Sequence, residues 1–291
     1  MRPRGVAVHQ ATYESLLTVP KALRATYVLT DFDRLSSSEL EAAVHLYDGL
    51  RAAGLRVLND PRRFRPRASL LKHLHQLGVN SYTCHLPAAG EWPERFPVFL
   101  RTLASHRGVL SDLLQDRASC DEALAGAFQL GYPISDLVFV EYAATPNLQT
   151  GAFQKLSAFR IGDRIIRANT VNDSHWMAKT GVSGLATDEQ YRQEYLEMTD
   201  YPLRSYVMRV FDHAGMDFGR LDFGKTGERY ETYEINTNPY MTIQVEHPNA
   251  DRAAMLATML EQLITALDAQ CTEVGKAWVT LRASRTRIPR L

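Results

Sequence analysis

The sequence predicts an α+β chain with a small α/β unit at its N-terminus. Three observations carry this. Residues 28–58 read as strand, helix, strand. Two hairpin signals follow, one at Gly162-Asp163 and one around Gly224 and Gly227. Helical periodicity at 187–198, 201–214 and 249–269 falls between and after those hairpins.

Each element has a local reason. Residues 28–31 close the apolar start ATYVLTDF and read as a strand. Ser36, three residues before Glu39, is placed to cap a helix on which Leu40, Ala43, Val44, Tyr47 and Leu50 recur at helical spacing. Gly54 stops that helix, and residues 55–58 form a second strand, expected to lie parallel to the first. Residues 66–78 give another helix, closed by Gly78. The polar stretch from Pro87 to Pro93 is the expected domain boundary. Beyond it lie a strand at 97–101, a loop through Gly108, a helix near 121–130 and a strand at 136–142. Strands at 153–160 and 163–170 flank Gly162-Asp163, and strands at 217–223 and 229–236 flank the second glycine pair. The basic stretch 281–291 reads as a surface tail.

Composition narrows the function. Thirty-three Lys+Arg balance 33 Asp+Glu across 291 residues, which argues against a nucleic-acid or anionic-membrane coat. Three dispersed cysteines, Cys84, Cys120 and Cys271, make neither a disulfide framework nor a zinc site. The first twenty residues lack the apolar core of a signal peptide, and no window approaches eighteen apolar residues. The expectation is a cytoplasmic protein without membrane contact, compatible with a homodimer. The basic run Arg62, Arg63, Arg65, Arg67, Lys72 reads as a solvated face or an anion-binding wall rather than a nucleic-acid surface, because only Phe64 interrupts it.

The informative stretch is GRLDFGKTGERYETYEINTNPYM, residues 219–241. Alternation puts Arg220 and Asp222 on one face of the first strand and Glu234 and Asn236 on one face of the second. A turn centred near Glu228 would set Asp222 opposite Glu234, with Cβ atoms roughly 5 Å apart. Two carboxylates and an amide that close repel unless a cation lies between them. Hard Mg²⁺, which takes oxygen ligands together with substrate phosphates, suits them better than zinc. The rival is a polar hairpin with solvated carboxylates, but a strand ending Glu-x-Asn-x-Asn-Pro spends polar residues where a half-buried strand needs none.

Asp222 followed by Glu234-Ile235-Asn236-Thr237-Asn238-Pro239 resembles the metal-binding signature of the ATP-grasp ligases, a family that includes glutathione synthetase, D-alanine–D-alanine ligase and the ribosomal-protein glutamate ligases. The order of the other pieces agrees. Val138-Phe139-Val140-Glu141-Tyr142 resembles the family's interlobe strand and linker, FQKLSAFRIGDRII the following hairpin, and Trp176-Met177-Ala178-Lys179 a segment of a divergent branch. The resemblance is continuous over residues 97–240 and only in outline over 1–90.

What the resemblance implies is an ATP-grasp fold, two α+β lobes clamping nucleotide: a preceding α/β domain at 1–90, a small lobe at 91–143 and a large lobe with the metal site at 144–291. Asp222, Glu234 and Asn236 would hold Mg²⁺, or Mn²⁺ in its place, against the phosphates of ATP. Arg220 would face the transferred phosphoryl group or a tetrahedral intermediate. Lys155 would contact phosphate, Glu141 the ribose hydroxyls, and Tyr142 the adenine. The implied activity activates a small-molecule or peptide carboxylate as an acylphosphate and joins it to an amine-type nucleophile. An ATP-grasp small-molecule kinase and a non-catalytic nucleotide-binding protein are the alternatives.

One position departs from the pattern. Where family members carry a Lys for the α-phosphate followed by a glycine-rich flap, this chain has Arg101 and then TLASHRGVLS, with Gly108 as its one glycine. Arg binds phosphate through a planar fork rather than as a point charge. His106, His175, Trp176 and Lys179 are loop residues for which surface or anchoring roles compete with roles in a site. Neither a GxSxG elbow nor a Walker or GxGxxG phosphate loop occurs, so nucleotide use rests on the ATP-grasp reading.

Overall fold

The computed structural model describes residues 7–18, 21–103, 108–271 and 277–281. His106 and, apart from Leu281, the basic tail at 281–291 lie outside the described residues. In chain order the elements are α1 (Tyr13–Thr18), β1 (Lys21–Leu23), β2 (Tyr27–Val28), α2 (Ser37–Ala52), β3 (Val57–Leu58), α3 (Arg67–Gln76), β4 (Cys84–His85), β5 (Val98–Thr102), α4 (Arg117–Gln129) and β6 (Leu137–Glu141). They continue with β7 (Phe153–Ile161), β8 (Arg164–Arg167), β9 (Val171–Asp173), α5 (Asp188–Leu196), α6 (Arg204–Ala214), β10 (Phe218–Thr226), β11 (Arg229–Asn236), α7 (Ala250–Asp268) and β12 (Trp278–Thr280). The α+β class is as the sequence predicts. No described helix is long and apolar enough to cross a membrane.

Capping chemistry fixes the helix starts. Ser36 and Glu39 close a reciprocal capping box at α2, Thr187 and Gln190 do the same at α5, and the Asn249 side chain caps α7. The expected strand–helix–strand unit is present: β2 and β3 pair in parallel on either side of α2. The β1–β12 pairing, which ties residues 21–23 to 278–280, was not read from the sequence, because three-residue strands carry no usable periodicity.

Two antiparallel sheets build the rest. The larger runs β11-β10-β7-β8, with β9 also on β7, and the smaller runs β4-β6-β5. Alternation gives each sheet two unlike faces. On the small sheet, Val98, Leu100, Leu137 and Phe139 pack under Cys120, Leu124 and Ala127 of α4. Its other face presents Phe99, Val138 and Val140 to α3 and to the large sheet. On the large sheet, Ala158, Leu221 and Phe223 join the core beneath α6. On the opposite face Phe159, Ile161 and Phe218 are covered by Met255, Met259 and Leu263 of α7. Further along that covered face Phe159 gives way to Ser157 and Lys155, and Phe218 to Arg220 and Asp222. The same strands therefore run from apolar under α7 to charged where α7 ends.

The N-terminal unit does not pack apart from this frame. Leu46 and Leu50 of α2 and Leu70 and Leu74 of α3 share one core with Val207, Val210 and Phe211 of α6 and with Leu221 and Phe223 of β10. Buried Asn59, held at φ 65°, donates to the carbonyls of Leu29 and Phe218 and accepts from the N–H groups of Asp217 and Phe218, so β2, β3 and β10 are stitched through one amide. The chain also enters the small sheet at Cys84, before the 87–93 stretch, which connects two strands of a single sheet.

The shared core has a measurable consequence. Leu50→Ala should cost about 2–5 kcal/mol, because Leu50 is fully buried. It should also reduce hydrogen-exchange protection in β10 as well as in α2. Loss confined to residues 27–76 would show instead that the N-terminal unit unfolds on its own.

Candidate functional site

The charged end of the large sheet and the inner face of the small sheet enclose a cavity of about 290 Å³. All eight residues singled out from the sequence border it: Arg101, Glu141, Tyr142, Lys155, Arg220, Asp222, Glu234 and Asn236. Their surroundings differ.

Asp222 lies at the floor, 1 % exposed. Arg220, two residues before it on the same face of β10, grips it bidentately, Nε at 2.8 Å from Oδ1 and Nη2 at 3.1 Å from Oδ2. Ser157, its register partner on β7, donates to Oδ1 at 2.9 Å, and Lys155 Nζ lies 3.6 Å from Oδ2. On the other side Asp222 is the ladder partner of Glu234, as expected, though by a different route. The turn pairs Thr226 with Arg229, which alone would set Asp222 against Tyr233; a bulge between Phe223 and Asp222 shifts the register by one. Asn80 secures the bulged strand by donating to Thr232 O and accepting from Thr232 N, both at 2.9 Å. The displaced Tyr233 crosses Gly224, where an added Cβ would collide with its ring, and reaches the carbonyl of Ala143 at 3.4 Å.

Glu234 is half-buried and paired with Arg67 of α3. Asn236 ends β11 by accepting from Asn238 N at 3.0 Å. Asn238 in turn donates to Asp31, a residue in the left-handed region at φ 57°, at the end of β2.

Arg101 sits on the inner face of β5, and its Nε is buried with no hydrogen-bond partner among the described residues. Burial foremost, and then the nearby Arg67 charge, push its pKa down to about 9, so it stays cationic at neutral pH. Beside the segment that bridges to Arg101, Lys179 Nζ approaches Gly108, at φ 85°, so closely that an added Cβ there would lie 2.9 Å away. Five cationic side chains therefore line the cavity against three carboxylates.

One of those carboxylates, Glu141, is already engaged by partners of its own. Alternation on β6 sends Val138 and Val140 inward and Glu141 to the α4 face. There it accepts from Thr83 N at 3.2 Å, contacts His85 Nε2 at 3.2 Å and lies 3.9 Å from Arg95. Burial alone would raise its pKa; His85, Thr83 and Arg95 outweigh burial and hold it below the ordinary value.

The far end of the cavity is apolar. Trp176 packs on Phe99 with centroids 4.9 Å apart and meets Tyr142 edge-on at 5.7 Å. Val140, Ala143, Met177 and Tyr233 add to this apolar part of the lining. The Cys84 thiol behind this wall is pushed up to about 12 by burial, which makes it a poor nucleophile.

Arg67 was the residue least visible in the sequence, where it merges with its basic neighbours. Those neighbours scatter: Arg62 pairs with Asp48 and Asp60, Arg65 with the His213 carbonyl, and Lys72 with Glu91. Helical spacing was the available signal, since Arg67, Leu71 and Leu74 share one face of α3 and both leucines are buried. Trp176 and Lys179 line the cavity rather than anchoring a surface loop, whereas His175 is exposed and caps Met177 N.

A divalent cation is compatible with this donor set in one way. Asp222, Glu234 and Asn236 offer hard oxygens from adjacent strands, yet both carboxylates are already neutralised by Arg220, Lys155 and Arg67. Among the described residues no cluster of three or more His, Cys, Asp or Glu could hold a bare ion. The set fits a metal that arrives with its own phosphates, which then occupy the displaced cations.

No protein-family model matches the chain, and no curated protein does. Among solved structures, it is similar to the ATP-grasp ligase PsnB complexed with a phosphomimetic minimal precursor, Mg and ADP, at 14 % identity and TM-score 0.43, over 79 % of this chain and 66 % of that one. It is also similar to the L-amino acid ligase of Bacillus licheniformis, at 13 % and 0.41 over 78 % and 54 %. A third is the D-alanine–D-alanine ligase of Bacillus anthracis complexed with ATP, at 14 % and 0.43 over 77 % and 75 %. The chain thus spans less than two thirds of the first two.

The ion pairs at the floor predict how substitutions behave. Asp222→Ala leaves Arg220, Lys155 and Ser157 without their shared acceptor. It should cost about 3–5 kcal/mol, toward the low end because both cations are partly exposed. Asp222→Asn keeps an acceptor and should cost less; equal urea midpoints for the two variants would contradict the pairing.

Proposed function

We propose that the cavity binds Mg·ATP and that the chain is an ATP-dependent carboxylate–amine ligase of the ATP-grasp type. The observation that carries this reading is the polarity of a single cavity. The aromatic rings of Phe99, Tyr142 and Trp176 line it together with two register-paired carboxylates in an excess of cations. A purine ring, a polyphosphate and its metal match those features.

The roles follow from position. Phe99, Tyr142 and Trp176 frame the base. Glu141, committed on the opposite face of β6, shapes the wall rather than accepting from a ribose. Arg101, Lys155 and Lys179 bind phosphate. Asp222, Glu234 and Asn236 hold Mg²⁺, and Mn²⁺ would meet the same oxygens. When bound, the metal offsets phosphate charge and polarises the γ-phosphorus. Arg220, held by Asp222 at the edge of the cavity, stabilises the charge that develops there.

The substrate carboxylate oxygen attacks the γ-phosphorus and ADP leaves. The amine then attacks the acyl carbon, and phosphate departs with the electron pair of the broken C–O bond and takes up the proton the amine loses. Positioning and charge compensation suffice for both steps. This agrees with a cavity whose wall holds an unreactive thiol.

A thermal-shift series tests the reading. Mg²⁺ alone should leave Tm unchanged, because the carboxylates are already paired. Mg²⁺ with a non-hydrolysable ATP analogue at a hundredfold excess over Kd should raise it by about 5 °C. Glu234→Gln should remove most of that rise. With ATP, candidate acids and hydroxylamine, the ligase should release ADP and a hydroxamate. Phosphorylated product without hydroxamate would indicate a kinase, and no nucleotide response would indicate a cavity used for something else.

A further inference from the structure

Arg67 carries chemistry that no role above uses. It is the first helical residue of α3, in the N-terminal unit, and its Nη2 donates to Glu234 Oε2. Its Nε and Nη1 are buried without a hydrogen-bond partner among the described residues, as is Nε of Arg101. Both guanidinium groups border the same cavity, and the Arg67 charge adds to burial in lowering the Arg101 pKa. Buried donors without acceptors are costly, and two adjacent guanidinium charges add repulsion. An anion between them removes both penalties.

We propose that Arg67 is the receptor for the terminal phosphate of the nucleotide, so that the N-terminal unit tells a triphosphate from a diphosphate. The inference rests on the nucleotide reading and deepens it. Three buried, unpartnered nitrogens belong to two residues that border the cavity from two elements, and a fourth is freed when Glu234 turns to a metal. A terminal phosphoryl group, with three oxygens and close to two negative charges, matches that donor count; a carboxylate, with two oxygens and one charge, does not. Glu234 links the two events. While it pairs with Arg67 the receptor is occupied, and when it takes a metal ligand's place Arg67 is released beside the phosphate that the metal carries.

Calorimetric titration of the full chain in Mg²⁺, with the β,γ-imido analogue of ATP and with ADP as probes, tests this. Arg67→Gln should weaken the triphosphate analogue about 10- to 100-fold and leave ADP within about twofold. Arg67→Lys, which keeps the charge and loses the fork, should restore part of the difference. Unliganded Tm values of both variants establish that they are folded. Equal weakening of the two nucleotides would overturn the assignment by showing that Arg67 serves Glu234 and the metal alone. Unchanged affinities would overturn it by placing Arg67 toward another substrate. Failure of the wild-type chain to bind either nucleotide would overturn the functional reading and this inference together.

Discussion

A carboxylate as buried as Asp222 is tolerable only beside positive charge, and the large sheet is arranged to supply it. Arg220 comes from the same strand, Lys155 and Ser157 from the neighbouring strand, and all reach Asp222 because alternation puts them on one face. That face is apolar where α7 covers it and ionic where α7 ends. One sheet face thus carries both an apolar patch packed on α7 and the charged residues that border the cavity.

The same requirement ties the N-terminal unit to the sheet. Glu234, opposite Asp222, finds its counter-charge on α3, outside the sheet altogether. The buried amides of Asn59 and Asn80 and the exposed Asp31–Asn238 contact fasten the same two regions. An ordinary two-domain arrangement would let the units move as independent bodies. Here the shared core of α2, α3, α6 and β10 makes the N-terminal unit one wall of the cavity. Any ligand that draws Glu234 away from Arg67 changes the electrostatics of that wall.

Legibility in the sequence followed the range of the interactions. Helices with capping boxes and hairpins with glycine turns are local, and α2, α5, β7–β8 and β10–β11 were readable to within a few residues. Asp222 and Glu234 were placed opposite one another, but the bulge that achieves this depends on Asn80, some 150 residues away in sequence, and has no local signature. Arg67 was hidden among arginines that turned out to have unrelated partners. Glu141 shows the converse: its place in the linker motif was clear, yet the face it occupies on β6 is decided by which neighbours bury Val138 and Val140. The pairing of Cys84 and His85 with β6 was equally invisible, since a two-residue strand has no periodicity to read.

The account turns on carboxylates that exchange protein cations for a metal carrying phosphates. A crystal structure of the chain with Mg²⁺ and a non-hydrolysable ATP analogue tests that most directly. The predicted result has the metal between Asp222 and Glu234, the base against Trp176, and Arg67 turned from Glu234 to the terminal phosphate. Nucleotide bound with the Arg67–Glu234 and Arg220–Asp222 pairs intact and no metal between the carboxylates would contradict it.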